Sequence, residues 1–215
     1  MGDMLCGGNM MNESEKSTLD AILSAAKAEF LEKGFKSASL RNIVKTAGVT
    51  TGAFYGYYKS KEELFDALVK EQYETIMTEF INAQEQFTEL PPENQPDNMG
   101  KISGDCMESM TEYIYNNLSE FKLILSCSEG TKYEHIIHNM VEIEVNATHN
   151  FAKNLEKLGY PKYSVDPQLE HMLCSGLFSA YFELVIHDMP YEKAKEYVRN
   201  LRDFYTAGWR KIMGL

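Results

Sequence analysis

Between Lys33 and Lys61 the sequence contains no aspartate or glutamate, although 32 of its 215 residues are acidic and its formal net charge is −11. Acidity spread evenly would exclude a polyanionic partner; a gap of this length keeps one in play. The imbalance lies elsewhere. Residues 1–61 carry 8 basic and 6 acidic side chains, and residues 62–215 carry 13 and 26. Cysteine is scarce too: Cys6, Cys106, Cys127 and Cys174 form no C-x-x-C pair and have no histidines at zinc-ligand spacing. A disulfide framework and a structural zinc are thereby excluded, and the thiols read as small hydrophobes of a reduced, cytoplasmic protein. No apolar run approaches the eighteen or so residues of a membrane span, so no membrane partner is expected. The opening MGDMLCGGNMMNESEK lacks the basic and apolar regions of a secretory signal, and residues 1–15 read as a disordered leader. Also missing are G-x-S-x-G, a phosphate-binding glycine loop and H-E-x-x-H. An enzyme is not expected, nor a cofactor or a metal.

What is present is helical periodicity, with no strand pattern anywhere. From Thr18 the apolar residues Leu19, Ile22, Leu23, Ala26, Phe30 and Leu31 recur every three or four positions, and Gly34 ends the run. A short second helix follows, with Ser39 as candidate N-cap and Leu40, Ile43, Val44 and Ala47 as its buried stripe. Gly48 stops it, and Thr50 or Thr51 starts a third helix running through Tyr58. Helix, glycine turn, helix is a helix-turn-helix.

The third helix carries Gly52 and Gly56 among Phe54, Tyr55, Tyr57 and Tyr58. Glycine inside a helix costs about 1 kcal/mol relative to alanine. Phe54 and Tyr58, four apart, can share the inner face and leave Thr51, Gly52, Tyr55 and Gly56 outside. A helix entering the major groove gains from positions without side chains, where its backbone comes close to DNA. Tyr55 and Tyr57 offer hydroxyls to phosphates, and Ser60-Lys-Glu-Glu63 reads as a capping box that opens a long fourth helix, with Lys59 and Lys61 beside it.

Residues 22–68 closely resemble the DNA-binding module of the TetR family of bacterial transcriptional regulators. The resemblance is carried by Ala26, Phe30, Gly34, Ser39, Ile43, Ala47-Gly48-Val49, Gly52, Tyr55 and Ser60-Lys61-Glu62, and it covers roughly the first third of the chain. It implies DNA contacts from Ser39, Arg41, Thr50, Thr51, Tyr55, Tyr57 and Lys61. Two residues depart from the family pattern: Val44 stands where alanine is usual, and Gly56 removes a side chain able to read bases. Direct readout would then rest on Arg41, Thr50 and Thr51, with a tolerant operator preference.

The remaining two thirds predict a fourth helix over about 62–87, a loop over 89–104 with three prolines and two glycines, and helices at about 105–117, 120–127, 131–157, 167–187 and 191–212. The expected fold is all-α with about nine helices: a disordered leader over 1–15, a three-helix DNA-binding domain over 16–61, and a helical ligand-binding and dimerisation domain over 62–215. In TetR-like proteins such a region holds a small molecule. Candidate pocket residues are Tyr73, Met77, Phe80, Met107, Met110, Tyr113 and Ile114, although methionine and aromatic stripes at this spacing also describe a filled core. His135, His138, Glu142, Asn146 and His149 form a polar ridge, either a pocket wall through His138 and Glu142 or a solvated face. The outer two histidines are about 21 Å apart along the helix, too far for one metal ion to touch all three, although His135, His138 and Glu142 alone could form a partial site. The helix over 167–187 is apolar nearly all round, and Leu173, Leu177, Tyr181, Leu201, Phe204 and Tyr205 are its candidate dimer contacts with the last helix.

Together these features predict a homodimeric one-component repressor that binds an inverted-repeat operator and is released by a small-molecule effector. The alternative is a helix-turn-helix regulator whose C-terminal domain binds a protein partner, which a cavity-free core would favour.

Overall fold

A computed structural model describes residues 13–215, with side chains from Glu15 onward; of the expected leader, residues 1–12 with Cys6 lie outside the described residues. Among the described residues there are nine α-helices and no strand, so the all-α expectation is met. They are α1 Glu13–Ser37, α2 Leu40–Thr46, α3 Thr51–Tyr57, α4 Lys61–Glu89, α5 Gln95–Asn116, α6 Leu118–Ser126, α7 Ile136–Lys157, α8 Pro167–Ile186 and α9 Tyr191–Met213, with a 3-10 turn at Pro92–Asn94. The chain divides into two compact units, one ending at Leu68 and the other spanning Val69–Leu215.

The first unit is built on short-range signals. Gly34, at φ 72° and ψ 160°, breaks the helical path of α1, and Gly48 at φ 69° ends α2. Both sit in the left-handed region that only glycine enters at little cost. Phe30, Phe35 and Phe65 meet as edge and tilted pairs 5.1–5.9 Å apart, and Ile22, Ile43, Phe54 and Leu64 complete the core. Thr50 caps α3 by accepting the Ala53 N–H at 3.1 Å. Ser60 caps α4, accepting the Glu63 N–H at Oγ at 3.1 Å, and the Glu63 carboxylate reaches back one residue beyond the cap, where the Lys59 N–H donates to its Oε2 at 2.6 Å.

In the second unit, α5 packs along α9 and α7 along α8, with α8 also touching α6 and α9. By length and composition α8 could cross a membrane, but Cys174, Phe178, Tyr181, Phe182, Leu184 and Val185 are buried inside the protein. Its apolarity is that of a core helix.

Two sequence expectations are corrected here. The region 89–104 is not a loop, because α5 begins at Gln95. Pro96 lies in the first turn, where no N–H is required, so it starts the helix instead of breaking it. Gly100 and Gly104 are there for packing: a Cβ on Gly100 would lie 2.9 Å from Thr206 Cγ2, and one on Gly104 2.5 Å from Arg202 Nη1. Buried Gln95 joins the segments, donating from Nε2 to the carbonyls of Phe87, Thr88 and Leu90 at the end of α4 and accepting from Asn154 Nδ2. The helix expected from 131 begins only at Ile136, since 128–135 is turn, with the Thr131 N–H bonded to the Ser128 carbonyl and Gly130 at φ 87°.

Candidate nucleic-acid interface and ligand cavity

In the first unit, Phe54 and Tyr58 turn inward while Thr51, Gly52, Tyr55 and Gly56 are exposed. Tyr55 is 54% exposed, its ring edge-on to Phe54 at 5.4 Å, and open space surrounds the Gly56 Cα. Arg41 and Lys45 on α2, and Lys59 before α4, are exposed as well. An exposed helix with a bare backbone strip, flanked by cations and lacking acids, suits close approach to a phosphate backbone.

Not every named residue is free to serve there. Lys61 is half-buried, and its Nζ donates to the carbonyls of Phe35 at 2.7 Å, Ala38 at 3.2 Å and Lys36 at 3.3 Å while lying 4.6 Å above the Phe35 ring. Its ammonium closes the carbonyl end of α1. The Tyr57 hydroxyl donates to the Glu15 carbonyl at 3.3 Å. Ser39 occupies the N-cap position of α2 but its hydroxyl forms no cap; its N–H instead donates to Glu29 Oε1 at 3.1 Å. Glu29 was missed in the sequence. It also accepts from Lys33 at 2.9 Å, and these bonds, that from Lys33 first, hold its carboxyl below the usual range. The acid-free stretch thus borrows one acid from α1, already neutralised by Lys33.

In the second unit a cavity of about 130 Å³ opens among α4, α5, α7, α8 and α9. Of the candidate pocket residues Phe80, Met107 and Met110 line it, together with Phe87, Phe151, Phe178 and Trp209. Tyr73, Met77, Tyr113, Ile114, His138 and Glu142 do not. The reason for the last two is angular: at 100° per residue, Glu144 and Thr148 point away from the His138–Glu142 ridge, which is exposed.

Three of the residues expected at a dimer surface also face inward. Leu177, Tyr181 and Tyr205 line the cavity, and Tyr181 is 1% exposed, its hydroxyl 3.1 Å from Thr111 Oγ1 and 3.3 Å from the Met107 carbonyl. A helix apolar nearly all round gives no sequence signal of which side meets water. Leu173 and Leu201 are half-buried, and Phe204 is 74% exposed.

Sequence reasoning passed over Glu144 and Gln84, whose Nε2 donates to Glu144 Oε2 at 2.7 Å inside the cavity lining. Burial pushes the Glu144 carboxyl above its usual range, partly offset by this bond. A signal existed: Glu144 is the one acid on the stripe Met140, Ala147, Thr148, Phe151 and Leu155. Burial likewise lifts the Cys106 and Cys174 thiols to about 12, with nearby carboxylates adding to the effect. Against an ordinary thiol near 9.0, thiolate at pH 8 falls about a thousandfold. Both cysteines should therefore resist iodoacetamide in the folded protein and react on unfolding, as peptide mass spectrometry will read; rapid labelling of the native chain would contradict this placement.

Comparison with known proteins bears on the first of these sites. The family model described as bacterial regulatory proteins, tetR family, matches residues 22–68. The Transposon Tn10 TetC protein of Escherichia coli is 36% identical over 80 residues, covering 34% of this chain and 41% of that protein. The HTH-type transcriptional regulator TtgR of Pseudomonas putida is 30% identical over 106 residues, covering 49% and 45%. The chain thus spans less than half the length of these curated relatives. Among solved structures, the fatty acid degradation regulator FadR from Bacillus halodurans superposes with a TM-score of 0.53 at 15% identity, over 93% of this chain and 98% of that one. The TetR family transcriptional regulator PfmR from Thermus thermophilus gives 0.52 at 19% identity, over 87% and 94%. At these identities the likeness concerns the fold.

Proposed function

We propose that the chain is a TetR-family transcriptional regulator that acts in the cytoplasm as a homodimeric repressor of an inverted-repeat operator, released when a small molecule enters the cavity. The observation that carries this reading is the exposed, acid-free face of α3, with Gly52 and Gly56 leaving its backbone bare between Thr51 and Tyr55. Residues 16–61 are the reading domain and 62–215 the sensing and pairing domain. Arg41, Thr51 and Tyr55 contact DNA, with Thr50 holding the start of α3, while Lys61, Tyr57 and Ser39 build the surface.

Pairing is assigned to the outer faces of α8 and α9. Met172 is 67% and Phe204 74% exposed, and the two helices are tied by the Tyr197 hydroxyl donating to the Ala180 carbonyl at 2.8 Å. Large apolar side chains left in water on adjoining helices favour burial against a second copy, and a two-fold pair reads a palindrome that one short helix cannot. A cavity among the helices favours a small effector over a protein partner. Its wall includes Phe80 and Gln84 of α4, the helix that starts at the Ser60 cap, so occupancy can bias the reading domain through that helix.

The operator is obtained by selection from a random DNA library. Tyr55→Ala should then weaken binding about tenfold while leaving the fold intact, and Arg41→Ala should weaken it and reduce the slope of log affinity against log salt by about one. Unchanged affinity in both variants, or a selection that enriches no palindrome, would overturn the reading.

A further inference from the structure

Glu144 is out of place in its surroundings. It lines a cavity walled by Phe80, Phe87, Phe151, Phe178 and Trp209, and only its Oε2 is occupied, by the Gln84 amide; Oε1 accepts no hydrogen bond among the described residues. No cation of the cavity wall pairs with it. Arg202 also reaches the lining, but its Nη2 and Nε lie 2.9 and 3.2 Å from Asp203 Oδ1, so its charge is matched. A carboxyl in an apolar cavity without a counter-charge is costly to keep.

A second observation points the same way. An open groove lined by Glu74, Glu79 and Asp105 shares Ala83, Ile102 and Cys106 with the cavity, and no lysine or arginine lines it. A groove of one sign raises the local concentration of the opposite charge and steers it inward.

Resting on the reading of the cavity as an effector site, we propose that its ligand is a lipophilic organic cation, an ammonium on an apolar or aromatic body, with the nitrogen set against Glu144. The aromatic faces hold such a body twice over, by apolar burial and by attraction of the positive charge to the ring faces. Glu144 supplies the counter-charge and Gln84 keeps its carboxylate oriented. An anion would meet Glu144 and the acidic groove, and the one cation of the cavity wall, Arg202, is already matched by Asp203.

Three ligands with one apolar body separate charge from fit: 1-naphthylmethyl-trimethylammonium, 1-naphthylmethanol and 1-naphthylacetate, titrated calorimetrically into the full-length chain. The ammonium should bind at least about tenfold more tightly than the alcohol, with the acetate weakest, and Glu144→Gln should erase that preference by lowering the ammonium's affinity to that of the alcohol. Glu144→Leu, which fills the site with an apolar chain, gives the same comparison should the amide variant fail to fold. Equal binding of ammonium and alcohol by the wild type, or a preference that survives at Glu144→Gln, overturns the proposal. Should the alcohol bind and release operator DNA in that case, the effector cavity stands and only the charge assignment falls. Should none of the three bind, the charge assignment falls, and the effector reading stands or falls separately on whether any small molecule that releases operator DNA loses that effect when Phe151→Trp fills the cavity.

Discussion

Phe54→Ala is expected to unfold the reading unit and abolish operator binding, although Phe54 touches no DNA. The side chain is 1% exposed, and no other buried residue lies within α3. A seven-residue helix has too few hydrogen bonds to persist by itself, so α3 exists through this anchorage. Removing a buried phenylalanine costs about 3–5 kcal/mol, a large share of what a small domain possesses. Hydrogen exchange should show loss of protection over α1 to α3 with the second unit protected as before. Normal exchange in α3 of the variant would mean that something else holds it. Compared with Tyr55→Ala, which should lose binding and keep protection, the pair separates folding from contact.

The second large effect is expected at Glu170→Ala. Glu170 is 1% exposed in the first turn of α8, where the helix dipole favours an anion. It accepts from the Tyr163 hydroxyl and lies against His149 Nε2, each at 2.7 Å. The Tyr163 phenol is held above its usual range by burial first and then by this bond. Alanine would leave the half-buried Tyr163 hydroxyl without its acceptor beside a void, at a cost of about 3 kcal/mol, whereas Glu170→Gln keeps an acceptor for Tyr163 and should lose less. Denaturant midpoints of the two variants against wild type will rank them; equal midpoints would mean the carboxylate contributes nothing.

Legibility in the sequence followed the range of the interactions. The reading unit rests on signals a few residues long: Gly34 and Gly48 in the left-handed region and the Thr50 and Ser60 caps all mark their own helix ends. Where a decision depends on a distant partner, the same residue types misled. Pro96, Gly100 and Gly104 read as punctuation, yet the glycines admit Thr206 and Arg202 from a helix about a hundred residues away. On α8 nearly every face is apolar, so only the fold distinguishes Tyr181 inside from Met172 outside. The histidine ridge drew attention by its chemistry, while Glu144 two residues beyond Glu142 stands on the stripe that faces the cavity. A lone acid within an apolar stripe was the better signal.

Trp209 is the chain's single tryptophan, and it stands in the cavity wall. Its indole emission therefore comes from one place in the chain, and that place is where an effector would settle. Occupancy is written into the protein's own near-ultraviolet spectrum: a ligand that excludes water from the ring should shift the emission to shorter wavelength, and one that stacks on it should quench. Large chemical libraries can be read this way on the unlabelled protein before any operator or target gene is in hand.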